Sequence, residues 1–225
     1  MKITYLGHAA LSIEVGDTHI IVDPFISPNE LARHIDVNAL KADYIMITHA
    51  HQDHIADLES IANRTKAKVI SNYEIVTHYE NLGISGHPMN HGGSWQFDFG
   101  RVTYTNAIHT SSFPDGSYGG QPGGFILETK EGNVYIAGDT ALTMDMKLIP
   151  MKCKIDLAVM PIGDNFTMGI DSAVIASDFV GCNKVLGYHY DTFGYIVINH
   201  DQAKNAFKKA GKNLILLPIG DSMSL

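Results

Sequence analysis

In Asp43-Tyr44-Ile45-Met46-Ile47-Thr48-His49-Ala50-His51-Gln52-Asp53-His54-Ile55-Ala56-Asp57-Leu58, an apolar run gives way to three histidines and a carboxylate within the positions 49–54. Residues 43–47 are short, β-branched and aromatic, which favours a buried strand. Beyond the histidines, apolar residues at 55, 58, 61 and 62 keep helical spacing. The cluster therefore belongs to the turn between a strand tip and a helix start, where rigid elements can aim several side chains at one point. His49 and His51 are two apart, so an extended backbone points both to the same side. Such a pair suits a divalent cation, and Asp53 and His54, which follow once the chain has turned into the helix, could face a second one about 3.5–4 Å from it. Gathering three imidazoles and a carboxylate in a protein interior is costly unless something binds them.

Upstream, residues 2–6, 11–15 and 18–22 read as short strands, the last two joined by Gly16-Asp17. The third runs into Asp23-Pro24, and the proline ends the strand with a carboxylate at its tip. Residues 29–40 read as loop with a short helix. Downstream, the pattern predicts a helix over about 54–63, a strand at 68–70 and a helix at 72–81 stopped by Gly83. An antiparallel pair at 94–99 and 101–107 delivers His109 into a glycine-rich loop over 110–124, which is expected to form a wall of the site. Strands at 125–129 and 133–137 lead to Gly138-Asp139-Thr140. A helical segment at 143–149, a strand at 156–160, a helix at 171–180 and a strand at 184–187 lead to Tyr188-His189-Tyr190. A helix at 200–210 and a strand at 213–217 close the pattern. With no linker-like composition, the expectation is one domain over 1–225, two packed sheets with helices outside.

Composition narrows the function classes. The 225 residues are 45% hydrophobic and 18% charged, enough for a substantial core, and no apolar run approaches the ~20 residues of a membrane span. The net charge of -8 and the absence of a Lys/Arg cluster disfavour long nucleic acid as a partner. The opening Met1–Leu6 reads directly as strand rather than leader, and Cys153 and Cys182 give no disulfide framework, so the expected location is the cytoplasm.

His49-x-His51-x-Asp53-His54, with Asp23 before it and His109, Asp139 and His189 after it in that order, resembles the metallo-β-lactamase superfamily. The resemblance implies an α+β fold, a four-layer αβ/βα sandwich with the site at one edge of the two sheets. It implies two divalent metal ions, zinc first, with manganese or iron as alternatives. His49, His51 and His109 would hold one ion and Asp53, His54 and His189 the other, with Asp139 bridging. Asp53, His54 and Asp139 are thereby the catalytic candidates, and Asp23 would fix the tautomer of a ligand histidine. His51 stands where the diiron oxygen-reducing branch carries Glu, and Asp139 where the zinc β-lactamases carry Cys, which argues against redox chemistry and antibiotic hydrolysis. After His189 there is no counterpart of the helical glutathione-binding segment of the glyoxalase branch.

Tyr5-Leu6-Gly7-His8-Ala9-Ala10, the 163–169 loop and Tyr188-His189-Tyr190-Asp191-Thr192-Phe193 are similar to a small family of metal-dependent hydrolases. Its relatives include ascorbate-6-phosphate lactonase and the N-acyl-phosphatidylethanolamine phospholipase D. The implied function is hydrolysis of a small ester, lactone or phosphodiester by metal-activated water. The alternatives are a nuclease or cyclic-nucleotide phosphodiesterase, and a metal-binding module without catalysis. A small-molecule substrate is the expected partner, and a homo-oligomer is left open. His8 is a substrate or supporting contact on one reading and a packing residue on the other. Phe166, Thr167 and Met168 either line the pocket or pack beneath it, and Thr167 is counted with the substrate contacts. His19, His34, His78, His87, His91 and His200 are read as structural or surface residues.

Overall fold

The computed structural model describes residues 1–225, and its backbone divides between two seven-stranded sheets. The chain begins with β1 (Lys2–Gly7), β2 (Ala10–Val15), β3 (Thr18–Val22) and β4 (Tyr44–Met46), then α1 (Gln52–Ile55) and α2 (Leu58–Thr65). It continues through β5 (Lys68–Asn72), α3 (Tyr73–Asn81) and β6 (Gly86–Met89). The second half runs β7 (Ser94–Phe97), β8 (Gly100–Asn106), β9 (Gly123–Thr129), β10 (Gly132–Ile136) and β11 (Leu157–Pro161). After these come α4 (Ile170–Phe179), β12 (Lys184–Tyr188), α5 (His200–Lys209), β13 (Asn213–Ile215) and β14 (Ser222–Ser224).

The sheet orders are β14-β1-β2-β3-β4-β5-β6 and β13-β12-β11-β10-β9-β8-β7. In the first, β14 through β3 pair antiparallel and β3 through β6 parallel. In the second, β7 through β10 are antiparallel and β10 through β13 parallel. The two halves thus share a topology that their sequences do not repeat.

Each strand puts alternate residues on opposite faces. Ile20 and Val22 of β3 and Val134 and Ile136 of β10 meet in the core between the sheets. Their neighbours face the other way: Ile21 packs under Leu58, Ile61 and Tyr79 of the first helical layer, and Tyr135 shares a cluster with Ala173, Ala176 and Phe207 of the second. Because both faces are covered, the inner strands read as continuous apolar runs. The result is the α+β four-layer sandwich. No helix is long and apolar enough to cross a membrane.

Several boundaries differ from the sequence reading. The helix expected over 54–63 is two helices broken at Ala56–Asp57. There the Asp57 carboxylate accepts hydrogen bonds from the Ile26 and Ser27 amides at 2.7 and 2.9 Å, so it serves the loop after Asp23 rather than a continuous helix. The segments at 29–40 and 143–149 contain only short 3-10 turns, Glu30–Ala32, Val37–Ala39 and Met144–Leu148. β6, a four-residue edge strand containing Pro88, gave too weak a signal to read. The strand at 213–217 is not the last: β14 returns to the first sheet and pairs with β1, Lys2 opposite Ser224.

Candidate metal centre

Six strands end at one edge of the sandwich, and each delivers a side chain there: His8 after β1, Asp23 after β3, His49 and His51 after β4, His109 after β8, Asp139 after β10 and His189 after β12. His8, Asp23 and His189 occupy the left-handed region, with φ of 53, 42 and 55°. Such conformations are unfavourable for residues other than glycine and concentrate at functional sites. The His189 amide donates to the His8 carbonyl at 2.8 Å, joining the edges of the two sheets.

Asp23 is fully buried. It accepts from the Thr48 amide at 2.8 Å, the Thr48 hydroxyl at 2.7 Å and His54 Nδ1–H at 2.9 Å. That bond leaves His54 Nε2 aimed inward, 3.4 Å from Asp139 Oδ2 without hydrogen-bond geometry. The Thr48 hydroxyl, having given its proton to Asp23, accepts from His49 Nδ1–H at 3.0 Å. One carboxylate thus sets the tautomers of two histidines, His54 directly and His49 through Thr48.

The free Nε2 of His49 faces His51 Nδ1 at 2.9 Å, and His51 Nε2 lies 3.3 Å from the Thr110 hydroxyl. The His109 ring centroid is 5.0 Å from that of His49 and 5.1 Å from that of His51. His49, His51 and His109 form one group of converging ligand atoms, and His49, His54 and Asp139 another. A third comprises His8, Asp53, His54 and His189. Asp139 Oδ2 is 2.9 Å from His189 Nε2 and 3.6 Å from His109 Nε2, so it touches both sides of the cluster.

Burial, followed by the positive field of neighbouring imidazoles, holds His49 well below the ordinary histidine range, and burial also lowers His51 and His109. Neutral imidazoles are the ligating form. Burial would depress His54 too, but Asp139 and Asp23 outweigh it and hold that ring well above the ordinary range. Burial would raise Asp139, and His189 and His54 outweigh it, keeping the carboxylate ionised.

His8, whose role the sequence left open, is buried against these groups. Its Nε2–H donates to Asp53 Oδ2 at 3.0 Å, and its Nδ1 lies 3.0 Å from the Thr192 hydroxyl. Thr167 is elsewhere: its hydroxyl is directed at the Met168 carbonyl, and Met168 is in the core. Of that loop, Phe166 lines the cavity. The 110–124 loop contributes Thr110 to the cavity wall and otherwise braces the metal loop from behind. The Ser111 hydroxyl accepts from the Ala50 amide at 3.1 Å and donates to the Gly119 carbonyl at 2.8 Å. A Cβ at Gly119 would collide with that of Ala50. Thr48, Thr192, Phe193 and Tyr195 were not singled out individually; the only signal was Thr192-Phe193 within the family-like 188–193 stretch.

A divalent cation fits this donor set. His54 Nε2, Asp139 Oδ1 and His189 Nδ1 are buried without a hydrogen-bond partner, an expensive condition unless a ligand completes them. Imidazole nitrogen with carboxylate oxygen suits zinc and related ions.

The beta-lactamase superfamily domain profile matches residues 18–190. The chain is 64% identical over 226 residues to a UPF0173 metal-dependent hydrolase of Christiangramia forsetii, with 100% of both chains covered. It is 41% identical over 230 residues to that of Bacillus subtilis, again across 100% of both. The chain belongs to the UPF0173 metal-dependent hydrolase family. Among solved structures, the UPF0173 fold described above matches Igni18, a metallo hydrolase from the archaeon Ignicoccus hospitalis. The TM-score is 0.91 at 33% identity, covering 100% of this chain and 97% of that one. In this UPF0173 chain His51, Asp53, His109, Asp139 and His189 line an open cavity of about 770 Å³.

Proposed function

We propose that this family member is a dinuclear hydrolase of a small ester, lactone or phosphodiester. His49, His51 and His109 would hold one ion, Asp53, His54 and His189 the second, and Asp139 would be shared. The observation that carries the reading is the central place of Asp139, whose Oδ2 lies within 3.6 Å of imidazoles from both sets. Divalent ions there supply Lewis acidity toward a carbonyl or phosphoryl oxygen and lower the pKa of water toward ~7. Zinc suits the donors best, with manganese or iron as alternatives.

The chain's own groups prepare this chemistry. Asp23 and Thr48 keep protons on the outer nitrogens of His54 and His49, so the inner nitrogen of each ring is the one left to take an ion, which on His54 would replace a proton. Burial, reinforced by His189, pushes His8 down to about 4, so it stands as a neutral donor to Asp53. Burial opposes ionisation of Asp53, and the hydrogen bond from His8 with the field of His54 outweighs it and keeps the carboxylate charged. The cavity is sized for a small molecule. Two free cysteines, Cys153 and Cys182, suit a reducing compartment such as the cytoplasm.

The test is metal analysis of purified protein together with a screen of lactones, esters and phosphodiesters. About two equivalents of metal and turnover in one class are expected. Metal well below one equivalent after reconstitution would sink the reading. Full occupancy with no turnover would favour a binding module.

A further inference from the structure

We propose that the mouth of the cavity selects substrates carrying an uncharged, apolar arm, held against the edge-to-face pair of Phe166 and Tyr195. This deepens the hydrolase reading and rests on it. Away from the ligand side chains, the cavity is walled by Thr110, Phe166, Thr192, Phe193, Gly194 and Tyr195. None is a cation. A phosphate or carboxylate on the part of the substrate remote from the reacting bond would therefore be desolvated with no partner of opposite charge. The carboxylates on the flanking loops, Asp164 and Asp191, have the wrong sign for it, and Asp191 already pairs with His200 at 2.6 Å.

Hydrogen-bonding capacity on the wall is also low. The Thr192 hydroxyl is engaged with His8 at 3.0 Å, and that of Thr110 lies against His51 at 3.3 Å. Tyr195 is left as the one wall side chain with an uncommitted polar group. A nucleobase would bring several donors and acceptors that this wall leaves unpaired, whereas an aryl or alkyl group brings none.

The aromatic pair is held in place for such an arm. Phe166 is 49% exposed and Tyr195 78% exposed, yet their rings meet edge-on with centroids 6.1 Å apart at 78°. Phe166 follows Asp164 and Asn165, both left-handed with φ of 63 and 56°, and the loop base is closed by a Gly163–Gly169 bridge. The Met168 amide ties the loop to the Thr140 carbonyl at 3.0 Å, next to Asp139. Tyr195 precedes the fully buried Ile196, whose carbonyl accepts from the Asp191 amide at 2.8 Å. Asp191 in turn accepts from the Ile198 amide at 3.0 Å. Both rings are thus presented to solvent by anchored loops, and strained backbone that holds an apolar side chain outward is a mark of a binding surface.

The test uses metal-reconstituted protein, phenyl acetate against 4-carboxyphenyl acetate, and the uncharged fluorescent probe N-phenyl-1-naphthylamine. Phe166→Ala, Tyr195→Ala and the double variant are compared with the native protein. Phe193 is avoided because its ring packs 5.2 Å from that of His8. After correction for the hydroxide-catalysed rates, kcat/KM should favour phenyl acetate by about tenfold, and the double variant should lose most of that ratio through KM. Probe affinity should fall in parallel, while bound metal per chain stays at the native value. Preference for the carboxylated ester, or a double variant that keeps both the ratio and the probe affinity, overturns the proposal. A cyclic nucleotide that outperforms the esters and depends on the same pair also overturns it. Probe binding that needs Phe166 and Tyr195 without turnover in any bond class would leave the aromatic contact standing and remove the hydrolase reading. Turnover indifferent to both residues would do the reverse.

Discussion

Asp23 Oδ2 accepts the Nδ1–H of His54 at 2.9 Å, and both side chains are completely buried. Asp23 has no free edge toward the cavity, so its effect on an ion passes through the histidine it orients. Asp23→Ala leaves that N–H and the Thr48 hydroxyl unpaired. Metal affinity, measured by competition with a chelator, should fall about 10–100-fold. An unaltered affinity in a folded variant would show that the bond does not organise the site.

Asp139→Asn keeps the shape of the central carboxylate but removes its charge. If Asp139 joins two ions, stoichiometry should drop from about two toward one, with activity lost even in excess metal. Two tightly held ions in this variant would dismiss the bridging role.

Removing metal exposes the pH behaviour of the bare cluster. His8 is pushed down to about 4 by burial first and by His189 second. Its unfolded value is near 6.5, so between those pH values the unfolded chain binds more protons than the folded one. The stability tied to neutral His8 is present above about 6.5 and is lost as the pH falls toward about 4. The full loss is of order 3 kcal/mol. In chelator-treated protein, thermal melts should therefore decline across that window, and His8→Asn should decline less steeply. Equal slopes in the two proteins would contradict the assignment.

Ser111→Ala removes the acceptor of the Ala50 amide, which sits between His49 and His51. An unpaired backbone amide there costs about 1–3 kcal/mol. Denaturant unfolding should show that loss, and if His49, His51 and His109 hold an ion as proposed, affinity for it should weaken as well. A change in stability alone would make the 110–124 loop a scaffold without influence on the centre.

Much of this molecule was legible because its chemistry is local. The turn after β4 placed His49, His51, Asp53 and His54 together by spacing alone, and Pro24 marked the strand tip that carries Asp23. Burial on both faces made the inner strands readable as apolar runs. What escaped depends on contacts distant in sequence. Asp57 breaks a helix to serve the amides of residues 26 and 27, and Thr192 meets His8 across the two sheets. Thr167 and Phe166 are adjacent, and a turn through two left-handed residues decides which of them reaches the cavity. β6 and β14 are short edge strands whose pairing is a property of the neighbouring strand more than of their own residues.

The return of β14 to the edge of β1 has a consequence for synthesis. The chain leaves the ribosome from its amino end, so Lys2 and Thr4 wait for Ser224 and Ser222, which lie far further along the chain. His189 also emerges late, long after His49 and His51. A nascent chain therefore carries an open strand edge and an unfinished set of imidazoles at the same time. Closure of the first sheet and completion of the imidazole cluster both wait on residues made long after the first histidines.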